Sequence, residues 1–596
     1  TGSGEPERLD GALVTPGIFA VLGARPALGR GFTPSENVVG NDRVAVISHR
    51  LWTRRFGASP SALGTAVTLD GYPHQIIGVL PEGFYLHLPG LEVAPDVLAP
   101  TAHDMSPRRK WTIHPVGGRL KAGVSAQQAK ADLQIAMKGL AAEQPRLYGG
   151  STVNVIPMVE DMSETVRQAL LVLAGASGCV LLIVCANMAN LLLVRAIARR
   201  REAGIRAVLG ASRGRLIQQT LAEGVVVAVM GGVLGLVLAQ VGLRALTAIT
   251  PEALLPRSNE IALDPRVFAF VLAASALTGL LIAAIPAWQG SRAYNRESLH
   301  ERLKEASRSI AGGSARVRRV LLVAEIALAM VLLTGAGLLI RSFARLVAVD
   351  PGFRADRALT LGMKLGDAQA GADPRYAGFV DRTLDMVRRI PGVRSAAATN
   401  SLPMSWGFTE TWSLEIEGRP ADGPPVSAYL RSVTPGYFET LSVPLRKGRP
   451  FTADDSGRQV AIVNEAMVRR YWPSAAAGSA EPLTRRVKVG EHWREIVGVM
   501  ANIKHDGQGA DVSPEIYVPY GSNPSPYASL IVRVDGDPMS YASAIRTAIW
   551  TVDRNQAIEN IQPFDRVLSK SVATPRFRLV LLGLFAGLAL AVAIVG

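Results

Sequence analysis

Leu170-Leu171-Val172-Leu173-Ala174-Gly175-Ala176-Ser177-Gly178-Cys179-Val180-Leu181-Leu182-Ile183-Val184-Cys185-Ala186-Asn187-Met188-Ala189-Asn190-Leu191-Leu192-Leu193-Val194 lies inside a run of 27 residues without a charge, between Arg167 and Arg195. A bilayer core is spanned by about 20 mostly apolar residues in a helix, and buried helices of soluble proteins rarely run so far uncharged. Three similar runs follow: 20 residues between Glu223 and Arg244, 25 between Arg266 and Arg292, and Val320 to Ile340 interrupted only by Glu325. A fifth begins after Arg578 and is still apolar at Gly596. Charged residues are 19% of the 596-residue chain, against about 25% in ordinary soluble domains. So much apolar surface excludes a disordered chain, and two cysteines exclude a disulfide-rich scaffold.

The net charge of +15 first suggests nucleic acid, but its location argues otherwise. Segment 195–215 carries seven arginines against Glu202, and 290–319 carries eight basic residues against Glu297, Glu301 and Glu305. The connection 243–266 is balanced, with three charges of each sign. Short basic connections stay on the cytoplasmic side. Expected helices are therefore 168–194, 218–243, 267–289 and 320–340, joined by cytoplasmic loops 195–217 and 290–319. Segments 1–167 and 342–575 lie outside, and 576–596 starts a second membrane block. The basic charge is a topology signal; partners are lipid and protein, with no nucleic acid. Nothing before Thr1 reads as an export signal, and the last helix stops without a flanking charge, so both ends read as cut.

The two external segments repeat each other. Val14-Thr15-Pro16-Gly17-Ile18-Phe19 returns as Val433-Thr434-Pro435-Gly436-Tyr437-Phe438, and Gly29-Arg30-Gly31-Phe32-Thr33 as Gly448-Arg449-Pro450-Phe451-Thr452. Val44-Ala45-Val46-Ile47-Ser48 matches Val460-Ala461-Ile462-Val463-Asn464, and Ile76-Ile77-Gly78-Val79 matches Ile496-Val497-Gly498-Val499. Each copy reads as a mixed α/β module, with β-branched runs as strands. Ser125 and Gln128 form a capping-box pattern before a helix with Ala129, Leu133, Ala136 and Leu140 on one face; Tyr376–Ile390 is a comparable helix, ended by Pro391-Gly392. About 65–75 residues of the second copy, roughly 358–425, have no partner in the first.

Catalytic chemistry is thinly supported. No Gly-Lys dipeptide occurs, so no P-loop is present; there is no HExxH, and the eight histidines are scattered. Cys179 and Cys185, six apart on one helix, face different sides and make no metal pair. No catalytic, cofactor or metal site is expected. Gly231-Gly232-x-x-Gly235 serves helix packing.

The most distinctive stretch is Arg199-Arg200-Arg201-Glu202-Ala203-Gly204-Ile205-Arg206-Ala207-Val208-Leu209-Gly210-Ala211, after the polar tip Asn187-Met188-Ala189-Asn190 and before Gln218-Gln219 and Glu223-Gly224. It resembles the FtsX-like permease signature, in which a short cytoplasmic helix sits on an ATPase partner. The repeated VTPGxF, GRxF and VAxVN/S blocks resemble the extracytoplasmic core domain of MacB-like transporters, and the arrangement is similar to the duplicated orphan permeases of Acidobacteria. The resemblance covers nearly the whole chain. It implies a helix before Thr1, two further helices after Gly596, a separate cytoplasmic ABC ATPase, and a coupling role for Arg200, Arg201, Glu202, Gly204, Ile205, Arg206, Gly210 and Ala211. Physically, Ile205, Val208 and Leu209 can enter a partner's groove while the arginines engage acidic surface; equally, the arginines can anchor the helix at lipid headgroups.

Glu223 and Glu325 are further candidates for function. A charge in a membrane helix is functional by default, although Glu325 lies six residues after Arg319, where snorkelling, protonation or pairing with Arg318 would also serve. Glu223 matches an acidic position of the family, with pairing to loop arginines as the plain alternative. Arg30 and Arg449 read as turn residues. Arg341-Ser342-Phe343 and Asp350-Pro351-Gly352-Phe353 resemble the family's link from membrane helix to external domain. The expected fold is therefore α-helical membrane blocks plus two repeated mixed α/β extracytoplasmic modules. The expected function is a multi-pass permease subunit in a bacterial inner membrane, relaying ATPase motion to its external domains for export or efflux. The alternative is a non-transporting scaffold that regulates envelope enzymes. A periplasmic adaptor or envelope enzyme is a further expected partner, and a membrane-anchored enzyme lacks a catalytic constellation.

Overall fold

The computed structural model describes residues 7, 9–69, 71–88, 91–102, 116–144, 148, 151–198, 213–249, 264–293, 310–366, 373–405, 411–420, 426–473, 482–483 and 485–595. The chain divides into two compact units, Thr1–Ser163 with Val347–Val572, and Glu164–Leu346 with Ala573–Gly596.

The first strand-rich module carries strands β1 (Gly11–Val14), β2 (Leu28–Gly29), β3 (Val44–Ile47), β4 (Ala66–Leu69), β5 (Tyr72–Val79), the small hairpin β6 (Leu86–Leu88) and β7 (Leu91–Val93), and β8 (Val97–Pro100). Helices α1 (Ile18–Leu22), α2 (His49–Phe56) and α3 (Ala126–Glu143) accompany them. The sheet order is β1-β8-β3-β5-β2, with β4 also on β5. Its apolar alternation buries Ala45, Ile47, Ile76 and Val79 on one face and Val46 and Leu98 on the other. The expected capping box at α3 is formed, with Ser125 Oγ accepting from Gln128 N and Gln128 Oε1 accepting from Ser125 N. Its apolar face, however, is uncovered: no α3 residue is buried, and Leu133 and Leu140 are 48% and 42% exposed.

Four long helices follow: α4 (Met158–Ala198), α5 (Arg213–Ile249), α6 (Pro265–Ala293) and α7 (Ile310–Val347). Each extends beyond its expected span, so the expected loops 195–217 and 290–319 are shortened. Charge-poor runs mark the lipid-facing part of a helix, whereas backbone hydrogen bonding continues into polar sequence.

The second module carries β9 (Ala358–Lys364), α8 (Pro374–Arg388), β10 (Val393–Thr399), β11 (Thr411–Ile416), β12 (Val426–Val433), α9 (Tyr437–Thr440), β13 (Leu445–Gly448), β14 (Val460–Asn464) and α10 (Glu465–Tyr471). It continues through β15 (Arg486–Val489), β16 (His492–Met500), β17 (Glu515–Pro519), β18 (Tyr527–Val534), α11 (Ala542–Val552), β19 (Ile558–Pro563) and α12 (Phe564–Ser571). Because β11 pairs with both β12 and β15, the strands β12-β11-β15-β16-β14-β17 close into a ring around Val463, Met467, Val487, Ile496, Ile516 and Val518. Strands β10, β18, β9 and β19 continue from β12, and α8 and α11 cover them through Val380, Leu384, Val387, Ile545 and Ile549. Helix α8 fulfils the amphipathic pattern read over 376–390.

Helix α13 (Ala573–Val595) ends the described chain. In the membrane unit, α4, α7 and α13 share a core of Ala176, Val180, Ile183, Ala329, Leu332, Ala336, Ala586 and Ala589. Among the described residues three stretches are long and apolar enough to cross a bilayer: Leu170–Leu191, Arg319–Val347 and Pro575–Val595. Val229–Arg244 and Pro265–Leu280 are shorter apolar stretches on α5 and α6. These two helices pack closely at Gly232, where a Cβ would stand 2.9 Å from Ser275 Oγ. Gly231 and Gly235 face open space, so packing falls on the middle glycine rather than on the GxxxG pair.

Candidate functional site

The coupling candidates Arg200, Arg201, Glu202, Gly204, Ile205, Arg206, Gly210 and Ala211 lie outside the described residues; α4 reaches Ala198 and α5 begins at Arg213. Glu223 falls on α5, with its side chain outside the description, as is the side chain of Arg318. The other membrane candidate is described. Glu325 turns inward and is buried, and its Oε1 has no hydrogen-bond partner among the described residues. It does not snorkel. It sits one helical turn before Ala329 on the face that carries Ala329, Leu332 and Ala336 into the shared core.

Asn187 and Asn190 do not tip a helix end; α4 continues past them and buries both. Asn187 follows Ile183 by one turn and donates from Nδ2 to the Val592 carbonyl at 2.7 Å. The Oδ1 atoms of both asparagines lack partners among the described residues. The apolar layers of this bundle therefore give way to a polar end.

In the strand-rich modules, Arg30 and Arg449 are turn clasps, as read from the sequence. Arg30 grips Glu36 at 2.7 and 3.1 Å, and Arg449 grips Asp455 at 2.5 and 3.0 Å. Each carboxylate also accepts from the backbone N–H three residues before it. The Arg449 guanidinium holds the Asp455 carboxyl down at about 2, against burial that opposes it.

The segment leaving α7 is strapped to the second module. Lys504 N donates to the Pro351 carbonyl, Arg354 N to Leu441 O and Val534 N to Arg357 O, all between 2.9 and 3.0 Å. Arg533 donates to the carbonyls of Thr440, Asp356 and Arg354, each at 2.8 Å. Phe353 stacks on Phe564 of α12, ring centroids 5.0 Å apart. Gly352 takes φ of +81°, and a Cβ there would stand 2.0 Å from Asn502 O. Only glycine fits that position.

Behind this strap lies an ionisable cluster for which no sequence motif spoke. Arg431 on β12 and Glu515 on β17 are 1% and 2% exposed and meet at 3.4 Å. Tyr517 donates its hydroxyl to Glu515 Oε2 at 2.5 Å, and His505 Nε2 stands 3.5 Å from the same oxygen. Burial pushes the Glu515 carboxyl up to about 7, outweighing Arg431. Burial, helped by Arg431, holds the His505 imidazole well below its usual range. The available signal was Arg431 itself, a charge inside the apolar strand Val426–Val433.

Long apolar helices and two strand-rich modules in one chain are the build of a membrane protein, and the comparisons place it in the transporter-permease class. A MacB-like periplasmic core domain model matches residues 1–136 and 320–549, and an FtsX-like permease C-terminal model matches 174–294. The macrolide export ATP-binding/permease protein MacB of Escherichia coli K12 is 27% identical over 277 residues, 46% of this chain and 40% of that protein. The uncharacterized ABC transporter permease YknZ of Bacillus subtilis 168 is 27% identical over 244 residues, 40% and 57% of the respective chains. The periplasmic region of MacB from Actinobacillus actinomycetemcomitans aligns with a TM-score of 0.27 at 14% identity, over 38% of this chain and 97% of that one. The chain thus spans about two fifths to three fifths of these two curated relatives. It belongs to the FtsX-like and MacB-like ABC permease family.

Proposed function

We propose that this chain is the permease subunit of an ABC-type transporter, which receives motion from a separate cytoplasmic ATPase and passes it to its extracytoplasmic modules. The observation that carries this reading is the order of matches: an FtsX-like membrane segment, 174–294, between two segments that match one and the same MacB-like periplasmic core. In this reading 1–167 and 342–575 are extracytoplasmic modules, 168–341 is a membrane block and 576–596 begins a second one. The protein is multi-pass in the bacterial inner membrane and acts in export or efflux.

The ATPase would dock on the arginine-rich connection after α4, where Arg200, Arg201, Glu202, Gly204, Ile205, Arg206, Gly210 and Ala211 make the contact. Short helices with an apolar edge suit a partner's groove, and guanidinium groups suit acidic surface. Glu223 and Glu325 would act within the membrane helices. Internal duplication is part of the proposal. It is supported by five strand pairings that recur with the same direction in both modules: β1–β8 and β12–β17, β3–β8 and β14–β17, β3–β5 and β14–β16, β4–β5 and β15–β16, β2–β5 and β13–β16. One chain would then supply both halves of a pseudo-two-fold permease.

The test is the triple variant Glu202→Ala, Gly204→Pro, Ile205→Asp, assayed with the ATPase that co-purifies from native membranes. Expected is normal membrane insertion with loss of stimulated ATP hydrolysis; undiminished stimulation removes the loop from the mechanism. Labelling from either side of intact cells gives a second check, because an outward-facing arginine segment would overturn the topology.

A further inference from the structure

The segment Ala501–Ala510 joins three things the fold has no need to join. Its Lys504 N–H holds the Pro351 carbonyl, and its Asn502 carbonyl occupies the space that Gly352 leaves open. Its Lys504 Nζ folds the segment on itself, donating to the carbonyls of Gln508 and Ala510 at 2.9 and 2.7 Å. Its His505 carbonyl accepts from Met404 N at 3.1 Å, and its His505 Nε2 stands 3.5 Å from Glu515 Oε2. We propose that Ala501–Ala510 is a latch fixing the linker from α7 onto the second module, and that opening it moves one proton from the Glu515 carboxyl to the His505 imidazole.

The groups facing Glu515 come from every element around it. Arg431 approaches from β12, Tyr517 from its own strand, and His505 and Asp506 from the latch. Tyr437 on α9 lies beside both Arg431 and Glu515. Neither His505 ring nitrogen has a hydrogen-bond partner among the described residues, so the ring can accept. While the latch is closed, burial favours the neutral carboxyl and the neutral imidazole. Once opened to water, the carboxyl returns toward 4.5 and the imidazole toward 6.5. Between those values the proton therefore leaves Glu515 and settles on His505. An O–H bond breaks, an N–H bond forms, and the net charge of the cluster is unchanged.

The signs oppose each other. Glu515 has a raised closed-state value, so its contribution strengthens the closed latch as pH falls through about 7 toward 4.5. His505 has a lowered value, so its contribution weakens the latch as pH falls below 6.5. Together they make the strap nearly indifferent to mild acid, a useful property for a module outside the cell membrane. The inference stands whether or not an ATPase acts on α7.

The test is hydrogen exchange of the full chain in lipid nanodiscs, read on peptides covering 348–354 and 501–510 at pH 8 and pH 6 and corrected for intrinsic exchange. Wild-type protection should change by no more than about threefold. His505→Gln leaves only the carboxyl, and protection should rise about tenfold on acidification. Glu515→Gln leaves only the imidazole, and protection should fall about fourfold. Parallel profiles in all three proteins overturn the proposal. If Glu515→Gln does not fold, a flat profile in His505→Gln overturns it alone, with Val44–Ile47 as the unaffected internal reference.

Discussion

The two strand-rich modules share a strand framework and differ in where they put charge. Asp96 precedes β8 at the place Glu515 holds on β17, and both side chains are buried. Asp96 meets Arg50 at 2.9 Å, and that arginine is 62% exposed, with its head in water. Glu515 meets Arg431, which is buried entirely, because β10 and β11 flank β12 on its outer side. In the first module Ala12 stands where Arg431 stands, and beyond β1 no strand is paired among the described residues. One framework thus carries an arginine–carboxyl contact at the rim of one module and a buried one in the core of the other. The difference between the modules lies in what covers the framework.

Removing one partner breaks this contrast most directly. At pH 8, above the raised value of about 7, the Glu515 carboxyl is charged, and Arg431→Met leaves it buried without its cation, a change expected to destabilise the second module by about 3–5 kcal/mol. Arg50→Met, at the rim, should cost the first module under about 1 kcal/mol. Pulse proteolysis in a urea series, with fragments assigned to each module, measures both. Equal losses would mean that burial of the pair is not what separates the copies. The double variant Arg431→Met, Glu515→Met should recover most of the loss, since paired charges and a packed apolar pair are of similar worth in a core.

A second test concerns what the modules share. Gly29 and Gly448 have φ of +77° and +75°, and a Cβ on either would fall 2.3 Å from Ile77 O or 2.2 Å from Val497 O. Gly29→Ala and Gly448→Ala should therefore destabilise their own modules alike, each by about 2 kcal/mol or more. The same proteolysis reads the result. A tolerant first module would show that its β2–β5 contact yields where the second module's does not.

Much of this was legible beforehand because it follows from periodicity and repetition. The apolar runs marked five helices, the β-branched runs marked strands such as Val44–Ile47 and Val460–Asn464, and Ser125 with Gln128 marked the start of α3. The helix ends were not legible, since Met158–Arg167 is helical without being apolar, and α4 continues past the charge of Arg195. The inward turn of Glu325 was hidden for another reason: sequence shows its distance from Arg319, but only packing of α7 against α4 and α13 decides which face it occupies. Arg431, His505 and Glu515 come together from positions up to 84 apart, with no local spacing to announce them. Closure of the ring by β11 likewise needed pairing on both sides of a strand, which residue pattern does not encode.

Acid should sharpen the comparison on a smaller scale. The Asp455 carboxyl is held at about 2 by Arg449, below its ordinary 3.8, so its contribution is complete above pH 4 and is lost as pH falls toward 2. That contribution is about 2 kcal/mol, one pKa step being near 1.4. Asp455→Asn should remove this acid-dependent part, flattening the second module's stability between pH 4 and 2 relative to wild type. Urea midpoints across that range measure it, and an unchanged slope would assign the acid response to other carboxylates.

The smallest expected effect tests the least covered helix. Helix α11 buries Ile545, Ala548 and Ile549 against β18, β9 and α8, whereas α3 buries nothing among its described residues. Ile545→Ala should thus cost about 2–4 kcal/mol, by loss of transfer energy and creation of a cavity. Leu133→Ser on α3 removes a side chain already half in water and should stay within about 0.5 kcal/mol. Comparison of the two in the full chain makes the point sharply. A loss above 1 kcal/mol at Leu133 would mean that its face is covered in the working protein, and the first module would then be as fully dressed as the second.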